Sequence, residues 1–104
     1  PNSSALRSLF ESVIEKDVDW IQQFIAIEEL KNLLLLQDSE KDTILHYLAK
    51  RTYNKKTSSN DYLLAVLNLL DFALPTLRPL KNADGKTPYD LYIQRTQAQQ
   101  NDTV

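Results

Sequence analysis

The side chains with chemical capacity are few, and their spacing limits what they can do. His46 is the single imidazole of the 104-residue chain, so any general base or metal centre would have to be built around it. No second ligand or nucleophile stands at a fixed spacing beside it, and a structural role is favoured. Asp38, Glu40 and Asp42 crowd one short stretch. Paired carboxylates can serve a hydrolase as acid and base, but acid-rich turns more often face solvent and cap helices. Lys50, Arg51, Lys55 and Lys56 gather around Tyr53. Such a group can meet an acidic protein, nucleic acid or an import receptor, although most runs of this kind are solvated loop. Trp20 with Phe24 and Ile25 reads as core and not as a ligand cage.

Composition narrows the chemistry further. There is no Cys, which removes disulfides, thiolate zinc sites and cysteine nucleophiles. One glycine, Gly85, leaves no GxGxxG fingerprint or Walker loop, and one histidine leaves no HExxH pair. The chain is therefore read as non-enzymatic, with no catalytic residue, cofactor or metal expected. Its 42% hydrophobic and 25% charged residues and its formal net charge of −2 are an ordinary globular balance, which argues against an electrostatic nucleic-acid binder. The most apolar stretch, 62–74, is broken by Asn68 and Asp71 and falls short of the roughly 20 residues a bilayer span needs, so no membrane insertion is expected. The chain does not begin with Met and has no signal-peptide pattern; it reads as a single domain cut from a longer protein. The absence of Cys is compatible with a cytoplasmic or nuclear location.

Elements follow from the apolar periodicity. Ser3 or Ser4 can cap a helix whose Leu6, Leu9, Phe10, Val13 and Ile14 form one stripe. Asp17 can cap a second, carrying Val18, Ile21, Phe24 and Ile25. Residues 26–37 read as a connection whose leucine run, Leu33 to Leu36, packs beneath the helices. Asp42-Thr43 precedes a third helix that fades around Tyr53, and 54–60 is a polar loop. A fourth helix spans about 61–74 and is stopped by Pro75. Asn82 and Asp84-Gly85 suit a tight turn, after which Thr87-Pro88 opens a fifth helix, with 97–104 a polar, fraying end. No segment alternates with period two, so the fold is expected to be all-α.

Self-comparison finds a repeat. Residues 38–46 (DSEKDTILH) and 82–90 (NADGKTPYD) both resemble the ankyrin-repeat signature, in which an acidic turn is followed by T-P-L-H-x-A. Leu9-Phe10 take the Leu-His positions of an earlier copy, and the spacing of Val18, Ile21, Phe24 and Ile25 recurs at Leu63, Val66, Leu69 and Leu70. Aligning Arg7, Thr43 and Thr87 gives steps of 36 and 44 residues, against a family repeat of about 33. The excess falls between the two helices of the middle unit, in the 54–60 region. The resemblance implies an ankyrin-like helix-turn-helix solenoid of about two and a half units, approximately 4–37, 38–81 and 82–97 with a polar tail 98–104, and a long inter-helix insertion in the middle unit. Lys41 replaces the turn glycine and Ile44 the proline, while Leu48 and Tyr92 stand where the family has a small alanine, so irregular stacking is expected.

What the resemblance implies for function is a protein-interaction module or scaffold, its partner another protein. Thr43, His46, Gly85, Thr87 and Pro88 would be structural motif residues, His46 hydrogen-bonding to the Thr43 cap and adjoining backbone. Contacts to the partner would come from the turn tips, Glu40, Lys41, Asp84 and Lys86, and from Tyr47, Lys50 and Arg51 on the exposed side of the middle helix. The alternative is a structural helical spacer that orders a neighbouring domain of a larger protein.

Overall fold

The computed structural model describes residues 3–51 and 60–101. Within them the chain is all-helical: α1 (Ser3–Ile14), α2 (Val18–Ala26), α3 (Glu28–Leu33), α4 (Ile44–Arg51), α5 (Asn60–Ala73), one 3₁₀ turn (Pro75–Leu77) and α6 (Pro88–Asn101). Capping sets where they start. The Asp17 carboxylate accepts from the Trp20 amide at 2.8 Å, which fixes the first turn of α2. Thr87 and Asp90 cap α6 reciprocally: the Asp90 amide donates to Thr87 Oγ1 at 3.1 Å and the Thr87 amide to Asp90 Oδ2 at 3.0 Å. Pro88 occupies the first helical position, where no amide is missed. At the other end of α5, the chain turns at Leu74-Pro75, and Arg78 reaches back to the Asp71 carboxylate at 2.8 Å and to the Asp71 carbonyl at 3.2 Å.

Packing follows the apolar stripes. Phe10, Val13 and Ile14 of α1, Ile21 of α2, Leu45 and Leu48 of α4 and Val66 and Leu70 of α5 are all at most 1% exposed and belong to one continuous core. Leu34, Leu74 and Leu77 from the connections complete it. Among the principal packings α1 lies on α4 and α4 on α6, while α5 lies on both α2 and α4.

Several expectations need correcting. The 26–37 connection contains α3, set off from α2 by an extended Ile27, and of its leucines only Leu34 is fully buried; Leu33 and Leu36 are exposed. The fifth helix continues to Asn101, so 97–101 is helical and not a frayed end. Arg7 sits a turn inside α1, whereas Thr43 and Thr87 each immediately precede their helices, so Arg7 is not their structural counterpart. Trp20 is not core: it lies on the surface, stacked on Phe24 at 5.2 Å with the Lys16 ammonium 5.4 Å above its ring. Asn60 opens α5, while Tyr53, where the third helix was expected to fade, and the rest of the expected polar loop, including Lys55 and Lys56, lie outside the described residues.

Candidate interaction surface

Two turns, 38–42 and 82–86, are built on one hydrogen-bond plan. In the first, Asp38 Oδ1 accepts from the amides of Glu40 and Asp42, each at 2.9 Å. In the second, Asn82 Oδ1 accepts from the amides of Asp84 and Lys86, each at 3.0 Å. The backbone repeats as well: Lys41 N to Asp38 O and Asp38 N to Asp42 O in one turn, Gly85 N to Asn82 O and Asn82 N to Lys86 O in the other. Asx side chains bonding two and four residues ahead are what make these turns independent of any strand. Both turns need a left-handed residue at the fourth position, φ 63° at Lys41 and 75° at Gly85.

The turns are joined to each other. Ala83 N donates to Glu40 O at 2.8 Å, and Asn82 Nδ2 donates to Asp42 Oδ1 at 3.0 Å. Gln37 Nε2 adds bonds to the carbonyls of Lys41 and Lys81. His46 supplies the deepest link. Its Nδ1 accepts from the Thr43 amide at 3.0 Å and lies 2.9 Å from Thr43 Oγ1, while Nε2 is 2.8 Å from the Lys86 carbonyl. Because the Thr43 N–H points at Nδ1 and the Lys86 carbonyl oxygen faces Nε2, the neutral tautomer with its proton on Nε2 is fixed, Nδ1 accepting and Nε2 donating. Burial holds the imidazole below its ordinary range, against the opposing pull of the Lys86 carbonyl and of Asp42. With both ring nitrogens committed inside the protein, His46 has no free lone pair for base chemistry. Among the described residues no three His, Asp or Glu side chains gather as metal ligands would.

Asp38 and Asp42 are 8% and 3% exposed, which corrects the expectation that the acid cluster faces solvent. Burial pushes the Asp38 carboxyl up, but the Tyr47 hydroxyl and the amides of Asp42 and Glu40 outweigh it and hold the group below the usual range. The Tyr47 hydroxyl donates to Asp38 Oδ2 at 2.5 Å. Arg7 hydrogen-bonds the same phenol, and burial beside an acceptor pushes Tyr47 up to about 12. Tyr47 is thus only 9% exposed, packed edge-on against Phe10 at 5.2 Å, and is withdrawn from the expected contact set. Lys50 is half-committed: its ammonium lies 2.7 Å from the buried Asp42 carboxylate. Arg51 remains at the surface, 3.8 Å from a half-buried Glu11.

Glu40, Lys41, Asp84 and Lys86, by contrast, are exposed at the tips of the joined turns. The signal for this grouping was in the sequence, since turn tips project wherever the backbone beneath is satisfied internally. The roles of Asp38, Asn82, Arg7 and Gln37 were missed. The first two stand at matching positions of the aligned segments, which the alignment could have flagged; Arg7, and Gln37 in its bond to the Lys81 carbonyl, act over long range and leave no local pattern. Comparison with family models, with curated proteins and with solved structures finds no match.

Proposed function

We propose that the chain is a protein–protein interaction module made of divergent, stacked ankyrin-type units. In this reading 38–81 is one unit and 82–97 the start of the next, and a protein partner is bound by the turn tips and by the exposed first-helix residue Arg51, in a cytoplasmic or nuclear setting. The observation that carries it is the repeated turn with its cross-links, Ala83 N to Glu40 O and His46 Nε2 to Lys86 O. These bonds fix two projecting tips side by side on a frame whose polar groups are satisfied within, so the tip side chains are free of structural duty. Alternating charge at Glu40, Lys41, Asp84 and Lys86 suits a partner with a mixed-charge surface better than a polyanion.

The test exchanges the signs without changing the net charge: Glu40→Lys, Lys41→Glu, Asp84→Lys and Lys86→Glu together. Affinity capture with the two proteins is expected to lose the partner with the variant while the melting midpoint stays close to that of the parent. Equal recovery of the same partner by both would reject the turn-tip surface.

A further inference from the structure

Asp84 is the one aspartate of the chain followed by glycine, and Gly85 is the chain's single glycine. The pair sits at the tip of the second turn, where the Asp84 carboxylate is exposed and no described residue bonds to it. A Cβ placed on Gly85 would meet nothing within 4 Å, so a ring closing there meets no wall either. The first turn has the same backbone without this chemistry. Its counterpart pair is Glu40-Lys41, whose carboxyl stands one methylene farther from the amide nitrogen and whose following residue carries a side chain. Asp38 also precedes a small residue, Ser39, but it is 8% exposed and its oxygens are taken by the amides of Glu40 and Asp42 and by the Tyr47 hydroxyl.

We propose that Asp84 is a covalent modification site, at which the chain converts its own aspartate to isoaspartate and thereby unlocks the joint between the two turns. The Gly85 nitrogen attacks Cγ of the protonated Asp84 carboxyl. A C–N bond forms, and the proton on nitrogen leaves with the carboxyl hydroxyl as water. Water then adds to the Asp84 main-chain carbonyl carbon of the five-membered imide, the bond from that carbon to nitrogen breaks, and the chain runs on through Cγ. One water leaves and one enters, and nothing is oxidised or reduced.

In the folded turn the Gly85 amide donates to the Asn82 carbonyl at 2.9 Å, so its nitrogen reacts only when the turn opens. The product has one more main-chain atom inside the clamp that Asn82 and Lys86 close, in which the Asn82 amide meets the Lys86 carbonyl at 2.9 Å and the Lys86 amide meets Asn82 Oδ1 at 3.0 Å. The same Lys86 carbonyl holds His46 Nε2 at 2.8 Å. With the 84–85 link lengthened, Lys86 cannot stay on Asn82 and on His46 together, and the turn lets go of α4. No partner is involved, so the site stands apart from the turn-tip contacts.

To test this, the full chain is aged at neutral pH and body temperature beside a free peptide of residues 81–87. Trypsin then releases 82–86 from both, and reversed-phase chromatography separates the isoaspartate form at unchanged mass. Conversion is expected in the chain at about a tenth of the peptide's rate, because the turn is mostly closed, and not at all with Asp84→Glu. Hydrogen exchange of the 88–94 amides in the aged chain should split into a slow and a fast population, the fast one equal to the isoaspartate fraction, while aged Asp84→Glu keeps the slow one alone. No conversion of the chain by the time the peptide has fully reacted would overturn the proposal. So would a converted chain with a single slow population, and equal rates in chain and peptide would overturn the gating by the turn. A fragment heavier by the change of amide to acid would mean that Asn82 deamidates, and would overturn the assignment to Asp84.

Discussion

Lys41 and Gly85 hold the same left-handed backbone angle in matching turns, yet only one of them is built for it. A side chain with a Cβ is disfavoured there by about 1 kcal/mol. Lys41→Gly is therefore expected to raise stability by about that amount, and Gly85→Ala to lower it similarly. At Gly85 an added Cβ would meet nothing within 4 Å, so the whole effect is backbone conformation. Chemical denaturation of the two single variants checks both signs; a neutral Lys41→Gly would mean the turn relaxes out of the left-handed region. His46 carries a larger share. His46→Ala leaves the Thr43 amide and the Lys86 carbonyl without their partner, a loss of about 3 kcal/mol. The pH dependence has a definite direction. Because the folded pKa lies below the ordinary 6.5, the unfolded chain takes up the proton first. The stability this group contributes is complete above about pH 6.5 and declines as pH falls below it. Melting midpoints across that range should drop for the parent and stay flatter for His46→Ala.

At the scale of the element, α4 is tied to the first turn and to α1 by Tyr47, which receives from Arg7 and donates to Asp38. Tyr47→Phe keeps the Phe10 contact but removes one of the bonds that hold the Asp38 carboxyl down. A loss of about 1–2 kcal/mol is expected, and the acid limb of the stability curve should move toward neutral pH, since Asp38 gives stability above its ordinary range that is lost as pH falls through its lowered one. An unmoved acid limb would place the stabilisation of Asp38 in its two amide bonds alone. Helix positions were readable because each combines an apolar stripe with a local stop or cap, as at Asp17, Thr87 and Pro75. Tyr47 and Trp20 were misjudged for the same reason in opposite directions. A side chain's burial depends on which element lands beside it, and neither Phe10 over Tyr47 nor the open flank of α2 is written in local spacing. Residues 26–37 hid α3 because its six residues carry no side-chain cap and little periodicity. The place of the two turns was legible from their matching segments, while the Asx bonding of Asp38 and Asn82 and the bonds between the turns, spanning some 40 residues, were not.

For the molecule as a whole, the joint between the two turns decides whether the chain unfolds as one body. Asp38 and Asn82 are register equivalents, and each accepts two amides through Oδ1, but only Asn82 also donates, to Asp42 at 3.0 Å. The amide is required there because its neighbour across the joint is a carboxylate that is 3% exposed and already holds Lys50. Asn82→Asp preserves the turn's internal acceptor and sets two buried carboxylates face to face. Stability should fall by about 2–3 kcal/mol at neutral pH, and part of it should return under acid, where one proton shared between the carboxylates restores a hydrogen bond. In the stack proposed above, where units would contact only their neighbours, a weakened joint would let the unit that begins at the second turn open first. Amide exchange is then expected to quicken across 82–94 while the amides of α4 keep most of their protection. Uniform quickening throughout the described helices would mean that α6 and the core that ends at Leu77 form a single cooperative body, with the joint contributing no more than any other buried hydrogen bond.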